Sequence, residues 1–283
     1  MFSRVYTYLS MIKFSHSVFA LPFAFTAAFF AAGGIPSLSQ IFWIIVAMIG
    51  ARSAAMGMNR IIDREMDAKN PRTRTREIPS GKIKVSDAAI FIFISLAAML
   101  FAAFMLNPLC LKLSPVAIAV LVAYSYTKRF TWLSHIVLGI AISGAPLGAW
   151  IAVKGNVNIE IIPLVFAVIF WLAGFDILYA LQDLEFDRSH GLYSIPKRFG
   201  ISNGLLISRV LHFFTWCLLI LSGCIFSTGV IYFAGVGIVG ILLFYEHSLV
   251  KEDDLSKLDM AFFNMNGYIS VTVFLFTFFD VVL

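Results

Sequence analysis

Nine stretches of this sequence are apolar over roughly the length a helix needs to cross a hydrocarbon core. They fall at residues 17–33, 40–60, 88–107, 114–127, 133–153, 160–184, 203–224, 229–247 and 262–282, the fourth being short. Lipid offers no water to a backbone amide, so each run must bond its backbone internally, as a helix. The pattern predicts an all-α polytopic membrane protein with nine transmembrane helices. With 60% hydrophobic and 13% charged residues and a mean hydropathy of +0.90, an ordinary soluble domain is excluded. Arg4 and Lys13 ahead of a run ending at Ala31-Ala32-Gly33 imitate a secretory signal. So many similar runs follow that the first reads as a retained span. No linker or low-complexity tract interrupts the chain, and residues 1–283 read as a single domain.

Loop charge orients the spans. One side holds Arg4, Lys13, the long segment after the second run, Lys128 and Arg129, the segment after the sixth run, and Lys251 and Lys257. The other side holds Lys112 and Lys154. The Lys and Arg excess marks the cytoplasmic side, placing the N-terminus inside and the C-terminus outside, as an odd number of spans requires. The net charge of +5 then belongs to cytoplasmic loops rather than to a nucleic-acid surface.

Two of these spans carry acids. Asp176-Ile-Leu-Tyr-Ala-Leu-Gln-Asp183-Leu-Glu-Phe-Asp187 closes the sixth run. At about 100° per residue, Asp176, Asp183 and Asp187 share roughly a 40° arc of one helix. Intramembrane carboxylates are costly and mark functional sites, and clustered ones call for a cation. Hard oxygen donors with room left for phosphate suit magnesium. A helix end surfacing into water would account for Asp183, Glu185 and Asp187 but poorly for Asp176. The second run ends in Asn59-Arg-Ile-Ile-Asp63-Arg-Glu-Met-Asp67. There Asn59, Asp63 and Asp67 share about an 80° arc, with Arg52 on much the same face. Asp63 and Asp183 lie 120 residues apart, as do Asp67 and Asp187, and Ile78-Pro79 and Ile195-Pro196 follow at similar distances. The spacing points to a duplicated four-span unit with a ninth span added, whose two copies would bring the acid clusters face to face.

Opposed carboxylate clusters can hold magnesium against a pyrophosphate and stabilise it as a leaving group. Basic residues crowd the same surface: the loop from Lys69 to Lys82 with Arg72, Arg74 and Arg76; Arg188, Lys197 and Arg198; and Lys128 and Arg129 after Tyr124 and Tyr126. The positive-inside bias alone accounts for most of them, Arg72 being the better phosphate candidate because it follows the aspartates closely. Cys110, Cys217 and Cys224 lack metal spacing and read as packing residues. Most aromatics read as packing or lipid-facing, His16 as an interfacial histidine, and Asp280 as surface.

These residues carry a resemblance. Asn59 to Gly81, in the form NxxxDxxxD followed by a basic loop ending in PSG, resembles the first signature of UbiA-type intramembrane prenyltransferases. Asp176 to Asp187 is similar to the second, DxxYAxQDxxxD. Tyr124–Arg129, Gly144–Gly148, Gly191–Pro196 and Ala261–Gly267 extend the likeness over most of the chain. Lys13–Pro22 and Asn266-Gly267 resemble the 4-hydroxybenzoate polyprenyltransferase-like branch, which includes enzymes acting on a dihydroxynaphthoate for menaquinone. The resemblance implies nine helices around a central lipid-open cavity. It also implies magnesium-dependent transfer of a polyprenyl group from its diphosphate to an aromatic acid, in the bacterial inner membrane, with no obligate protein partner. Asn59, Asp63 and Asp67 would bind one magnesium–diphosphate face, and Asp176, Asp183 and Asp187 the other. Arg72, Lys128 and Arg129 would take diphosphate oxygens. Arg52 would take diphosphate or the acceptor carboxylate, and Tyr124 and Tyr179 would line the substrate site. Asp183 or Asp187 would act as general base. One position departs: Arg60 stands where many members carry a further aspartate.

Two other classes fit less well. An intramembrane alcohol phosphotransferase would show one DGxxAR-type cluster on one helix. A proton- or sodium-coupled transporter would favour isolated midplane carboxylates and broken helices.

Overall fold

Every regular element among the described residues is helical, as backbone burial in lipid demands. The computed structural model describes residues 2–13 and 17–283, without the side chains of 2–4, 17, 18 and 262; His16 lies outside the described residues. The elements are α1 (Phe2–Met11), α2 (Ser17–Ala32), α3 (Leu38–Ile62), α4 (Arg64–Lys69), α5 (Val85–Leu106), α6 (Pro108–Thr127), α7 (Ser134–Lys154), α8 (Ile162–Ala180), α9 (Leu184–Ser189), α10 (Ile195–Ile225), α11 (Val230–Leu249) and α12 (Asn266–Val282). Among the described residues, eight helical stretches are long and apolar enough to cross a membrane, and the helix of the first apolar run is a shorter ninth.

Three elements differ from the sequence reading. Helix α1 precedes the first apolar run. The short fourth run becomes a helix of 20 residues. Its start is set by Asn107, whose Oδ1 accepts the Leu109 and Cys110 amides at 3.0 Å each, while Lys112 stays exposed. Asp280 is not idle surface. Its carboxylate accepts the Gly229 amide at 2.7 Å and the Tyr232 amide at 3.0 Å, so it caps the first turn of α11.

The chain packs as two compact units, one of Met1–Ser17 with Leu38–Tyr126, the other of Val18–Ser37 with Thr127–Leu283. In the first, α3 lies against α5 with its backbone nearly touching. A Cβ on Gly50 would stand 2.7 Å from Ser95 O and 2.9 Å from Met99 N. Small residues at a crossing are how helices associate where lipid removes the hydrophobic drive. Met11, Ile12, Ile78, Ile83 and Ala88 form a buried cluster that joins the end of α1 to the loop after α4.

The second unit is built around α8. Leu164, Ala167, Val168, Trp171, Ala173, Ile177 and Leu178 are fully buried along it. Helix α10 presents Ser208, His212 and Thr215 on one stripe, and each bonds an α8 carbonyl. Ser208 Oγ donates to Gly174 O at 2.8 Å, His212 Nε2 to Trp171 O at 3.0 Å, and Thr215 Oγ1 to Ala167 O at 3.3 Å. The His212 ring occupies the space a Cβ on Gly174 would need. Behind it, His247 meets His212 Nδ1 at 2.9 Å, and fully buried Asn266 donates to Glu246 Oε1 and Ala261 O, both at 3.2 Å. The motif around Asn266-Gly267 is therefore a buried polar joint between α11 and α12.

Filling the α3–α5 contact should destabilise the first unit. Gly50→Leu is expected to cost about 1–3 kcal/mol by overpacking, read as a lower thermal midpoint of the purified protein in detergent. An unchanged midpoint would show that the backbones can part freely.

Candidate functional site

In the first unit, α3 carries Asn59 near its end, Asp63 follows, and α4 carries Asp67. Asn59 Nδ2 donates to Asp63 Oδ2 at 2.8 Å, which leaves the Asn59 carbonyl oxygen as a further hard donor. Asp67 is buried. Arg76 Nη1 holds its Oδ1 at 2.6 Å, and its Oδ2 is buried with no hydrogen-bond partner among the described residues. A buried carboxylate oxygen left unsatisfied is costly, and a bound cation satisfies it. The basic loop winds back on itself here. Thr73 Oγ1 donates to Asp67 O at 3.1 Å, and Asn70 Oδ1 accepts the Arg72 amide at 2.9 Å, leaving the Arg72 side chain exposed. Two turns further up α3, Arg52 has a buried Nε with no hydrogen-bond partner among the described residues. Half-buried Tyr124 interacts with it electrostatically.

Arg60 does not take the place of an acid in this cluster. It is buried, and its Nε donates to Met11 O at 3.2 Å. It thereby satisfies a carbonyl at the C-terminus of α1, where a cation also meets the favourable end of the helix dipole.

In the second unit, Asp176 sits in the last turns of α8, Asp183 beyond its end, and buried Asp187 in α9. His135, at the start of α7, meets Asp176 Oδ2 through Nδ1 at 2.7 Å. The Ser194 hydroxyl bonds Asp187, and the Lys128 charge acts on the same carboxylate. Lys197 Nζ spans Asp187 O at 3.0 Å and Leu192 O at 2.6 Å, while the Tyr193 amide donates to Lys128 O at 2.8 Å. Gly191, at φ 72°, supplies the left-handed residue that lets this loop turn back. Lys128 and Arg129 are exposed beyond α6, and Tyr179 is half-buried on the last turn of α8.

Neither acid cluster lies on one uninterrupted helix, so the single-face arcs need correction. Helix α3 stops at Ile62, and α4 restarts after Asp63. Helix α8 gives way to a single 3₁₀ turn, Leu181–Asp183, before α9. Asp63 (φ −91°, ψ 2°) and Asp183 (φ −105°, ψ 7°) both occupy the bridge region, and each heads a helix of six residues that buries its own aspartate, Asp67 or Asp187. Two segments 120 residues apart in sequence thus share one local conformation. Among the described residues, no group of three or more His, Cys, Asp or Glu gathers as a closed metal cage. The donors fit an ion that takes one or two carboxylates and completes its shell with phosphate and water, as magnesium does.

The model of the UbiA prenyltransferase family matches residues 20–268. The chain belongs to this family. It is 32% identical over 248 residues to the 4-hydroxybenzoate octaprenyltransferase of Actinobacillus pleuropneumoniae serotype 5b (strain L20), covering 88% of this chain and 84% of that one. It is 31% identical over 245 residues to the same-named protein of Vibrio campbellii (strain ATCC BAA-1116), covering 86% and 85%. The fold is similar to that of a UbiA homolog from Aeropyrum pernix K1, with a TM-score of 0.86 and 28% identity over 94% of this chain and 98% of that one. It shares its fold with a UbiA homolog from Archaeoglobus fulgidus bound to GPP and Mg2+, with a TM-score of 0.71 and 21% identity over 97% and 99%.

Sequence reasoning missed His135, Ser194, Lys197 and Arg76 as supports of these UbiA-family carboxylates. The basic residues were visible only as loop charge, and nothing in the sequence ties His135 to an aspartate 41 positions away. Lys197→Met should release the Asp187 and Leu192 carbonyls and loosen the turn at Gly191. The expected outcome is faster amide exchange over residues 187–194, read by mass spectrometry; equal exchange in both proteins would deny Lys197 that role.

Proposed function

We propose that this UbiA-family chain transfers a polyprenyl group from polyprenyl diphosphate to the ring of 4-hydroxybenzoate or a close relative, in the making of a membrane quinone. The observation that carries the reading is the likeness, along most of both chains, to proteins named 4-hydroxybenzoate octaprenyltransferase. The two acid-bearing helix breaks supply the chemistry that such a transfer needs. We treat both units as one catalytic domain in a bacterial inner membrane, with the N-terminus cytoplasmic.

Asn59, Asp63 and Asp67 on one side and Asp176, Asp183 and Asp187 on the other would hold magnesium against the diphosphate. The orphaned Asp67 Oδ2 and the all-oxygen donor set support that assignment. Bound magnesium supplies charge that stabilises the departing diphosphate. Arg72, Lys128 and Arg129 take diphosphate oxygens that the acids do not reach through metal. The C–O bond to diphosphate breaks and leaves an allylic cation. Asp183 or Asp187 removes the acceptor's hydroxyl proton, which raises the electron density of the ring. The carbon beside that oxygen bonds the cation to give a dienone. Its C–H proton then passes to solvent while the oxygen takes back the proton held by the aspartate, which restores the aromatic phenol and releases one proton overall. Arg52 and Tyr124 suit the acceptor carboxylate, because a guanidinium whose buried Nε has no hydrogen-bond partner among the described residues favours an anionic ligand. Tyr179, on the last turn of α8, is a further candidate for binding substrate.

Asp63→Ala and Asp183→Ala should each lower magnesium-dependent transfer by about a hundred- to a thousandfold in membranes, a drop typical of losing electrostatic stabilisation at the reacting bond. Chelation should silence the unaltered protein, and added Mg2+ should restore it. Products are read by mass after offering 4-hydroxybenzoate and a dihydroxynaphthoate with one long prenyl diphosphate. A prenylated naphthoate alone would move the chain to a menaquinone pathway, and full activity in either variant would sink the metal assignment. For Arg52→Ala, the expected change is a KM for the aromatic acid raised about tenfold or more; a rise confined to the KM for prenyl diphosphate would reassign Arg52 to the other substrate.

A further inference from the structure

We propose that His135 is a positioning residue for the reaction, fixing the rotamer of Asp176 by bridging its carboxylate to the first turn of α10. The inference rests on Asp176 belonging to the metal–diphosphate site. His135 is buried, and both ring nitrogens are engaged. Nε2 faces the Ile195 amide at 3.3 Å. A backbone amide only donates, so Nε2 must carry the lone pair. The proton of the neutral ring therefore sits on Nδ1 and is donated to Asp176 Oδ2 at 2.7 Å. Asp176 Oδ1 is left as the oxygen free to meet a cation. This is how an outer-shell group orients a metal-binding carboxylate.

The anchoring end of the bridge is itself over-determined. Ile195, Pro196 and Lys197 open α10, whose first amides have no partner inside the helix. His135 Nε2 takes the Ile195 amide, Pro196 has none to offer, and Ser194 Oγ accepts the Lys197 amide at 3.3 Å. The same Ser194 hydroxyl bonds Asp187. The turn of α10 thus reaches Asp187 through Ser194 and Asp176 through His135. Without the ring, Asp176, partly exposed at 25%, regains its other side-chain wells.

Three substitutions separate the two bonds. In His135→Asn the amide nitrogen stands close to where Nδ1 stood and can still donate to Asp176. In His135→Gln the terminal amide reaches the Ile195 end but not Asp176. His135→Ala loses both. The full chain in lipid nanodiscs is assayed for the Mg2+ concentration giving half-maximal rate. Independently of turnover, Mn2+ binding is measured by paramagnetic resonance with a prenyl thiodiphosphate that resists ionisation. His135→Gln and His135→Ala should weaken both by about ten- to a hundredfold, and His135→Asn should stay within about threefold of the unaltered protein. A loss of thermal midpoint in all three with no change in half-saturating metal would mean a packing role only, and would overturn the proposal. Asp176→Ala tells the two readings apart. If it weakens Mn2+ binding while His135→Gln does not, the positioning role alone fails. If Asp176→Ala leaves metal binding unchanged, Asp176 is not a ligand and the proposal falls with that assignment.

Discussion

The whole chain is governed by the obligation of a lipid-buried backbone to find its own hydrogen bonds. That obligation makes the spans helical, and it makes any break in a spanning helix expensive. Non-helical backbone survives near a membrane only where it is enclosed by protein or lines a watery cavity. Among the described residues the chain breaks its helices at Asp63, at Leu181–Asp183 and at Gly200 (φ 85°, ψ 170°), and the first two breaks fall within its acid motifs. The freed groups are tied down by unusual partners. A lysine ammonium caps two carbonyls below Asp187, and a histidine and a serine take the opening amides of α10. The acid-bearing segments are therefore repaired helix ends.

Much of this was legible in the sequence, for reasons that particular residues make plain. Apolar runs bounded by charge located most of the spanning helices to within a few residues, because length and hydropathy decide insertion, but the run at 203–224 missed the start of α10 at Ile195. The run at 114–127 misled at its start, since Lys112 looked like a boundary while Asn107 was already capping the helix. The aspartates announced themselves by being acids at the ends of apolar runs. Their geometry did not, because an ideal 3.6-residue period cannot anticipate a bridge-region residue at Asp63 or Asp183. Arg60 looked like a gap in a ligand set and proved to be a cap on α1, a role set by a carbonyl 49 residues away.

The basic residues near the acids are of two kinds. Arg76 is spent on Asp67, Lys197 on backbone carbonyls and Arg60 on Met11. Arg72, Lys128 and Arg129 keep their side chains exposed. Arg76, Lys197 and Arg60 hold the acid-bearing segments in shape, while Arg72, Lys128 and Arg129 stand at the surface. Loop charge counts both kinds alike and does not tell them apart.

The stripe of Ser208, His212 and Thr215 along α10 has a mechanical consequence. Three carbonyls of α8, one on each successive turn at Ala167, Trp171 and Gly174, are bonded from outside over a length of about two turns. Rotating α8 about its axis, or sliding it along α10, would break all three at once, and Gly174 leaves the His212 ring no slack. The pair moves as a single stiff beam. Any flexing of the second unit must take place away from this pair, and Asp176 is carried on it.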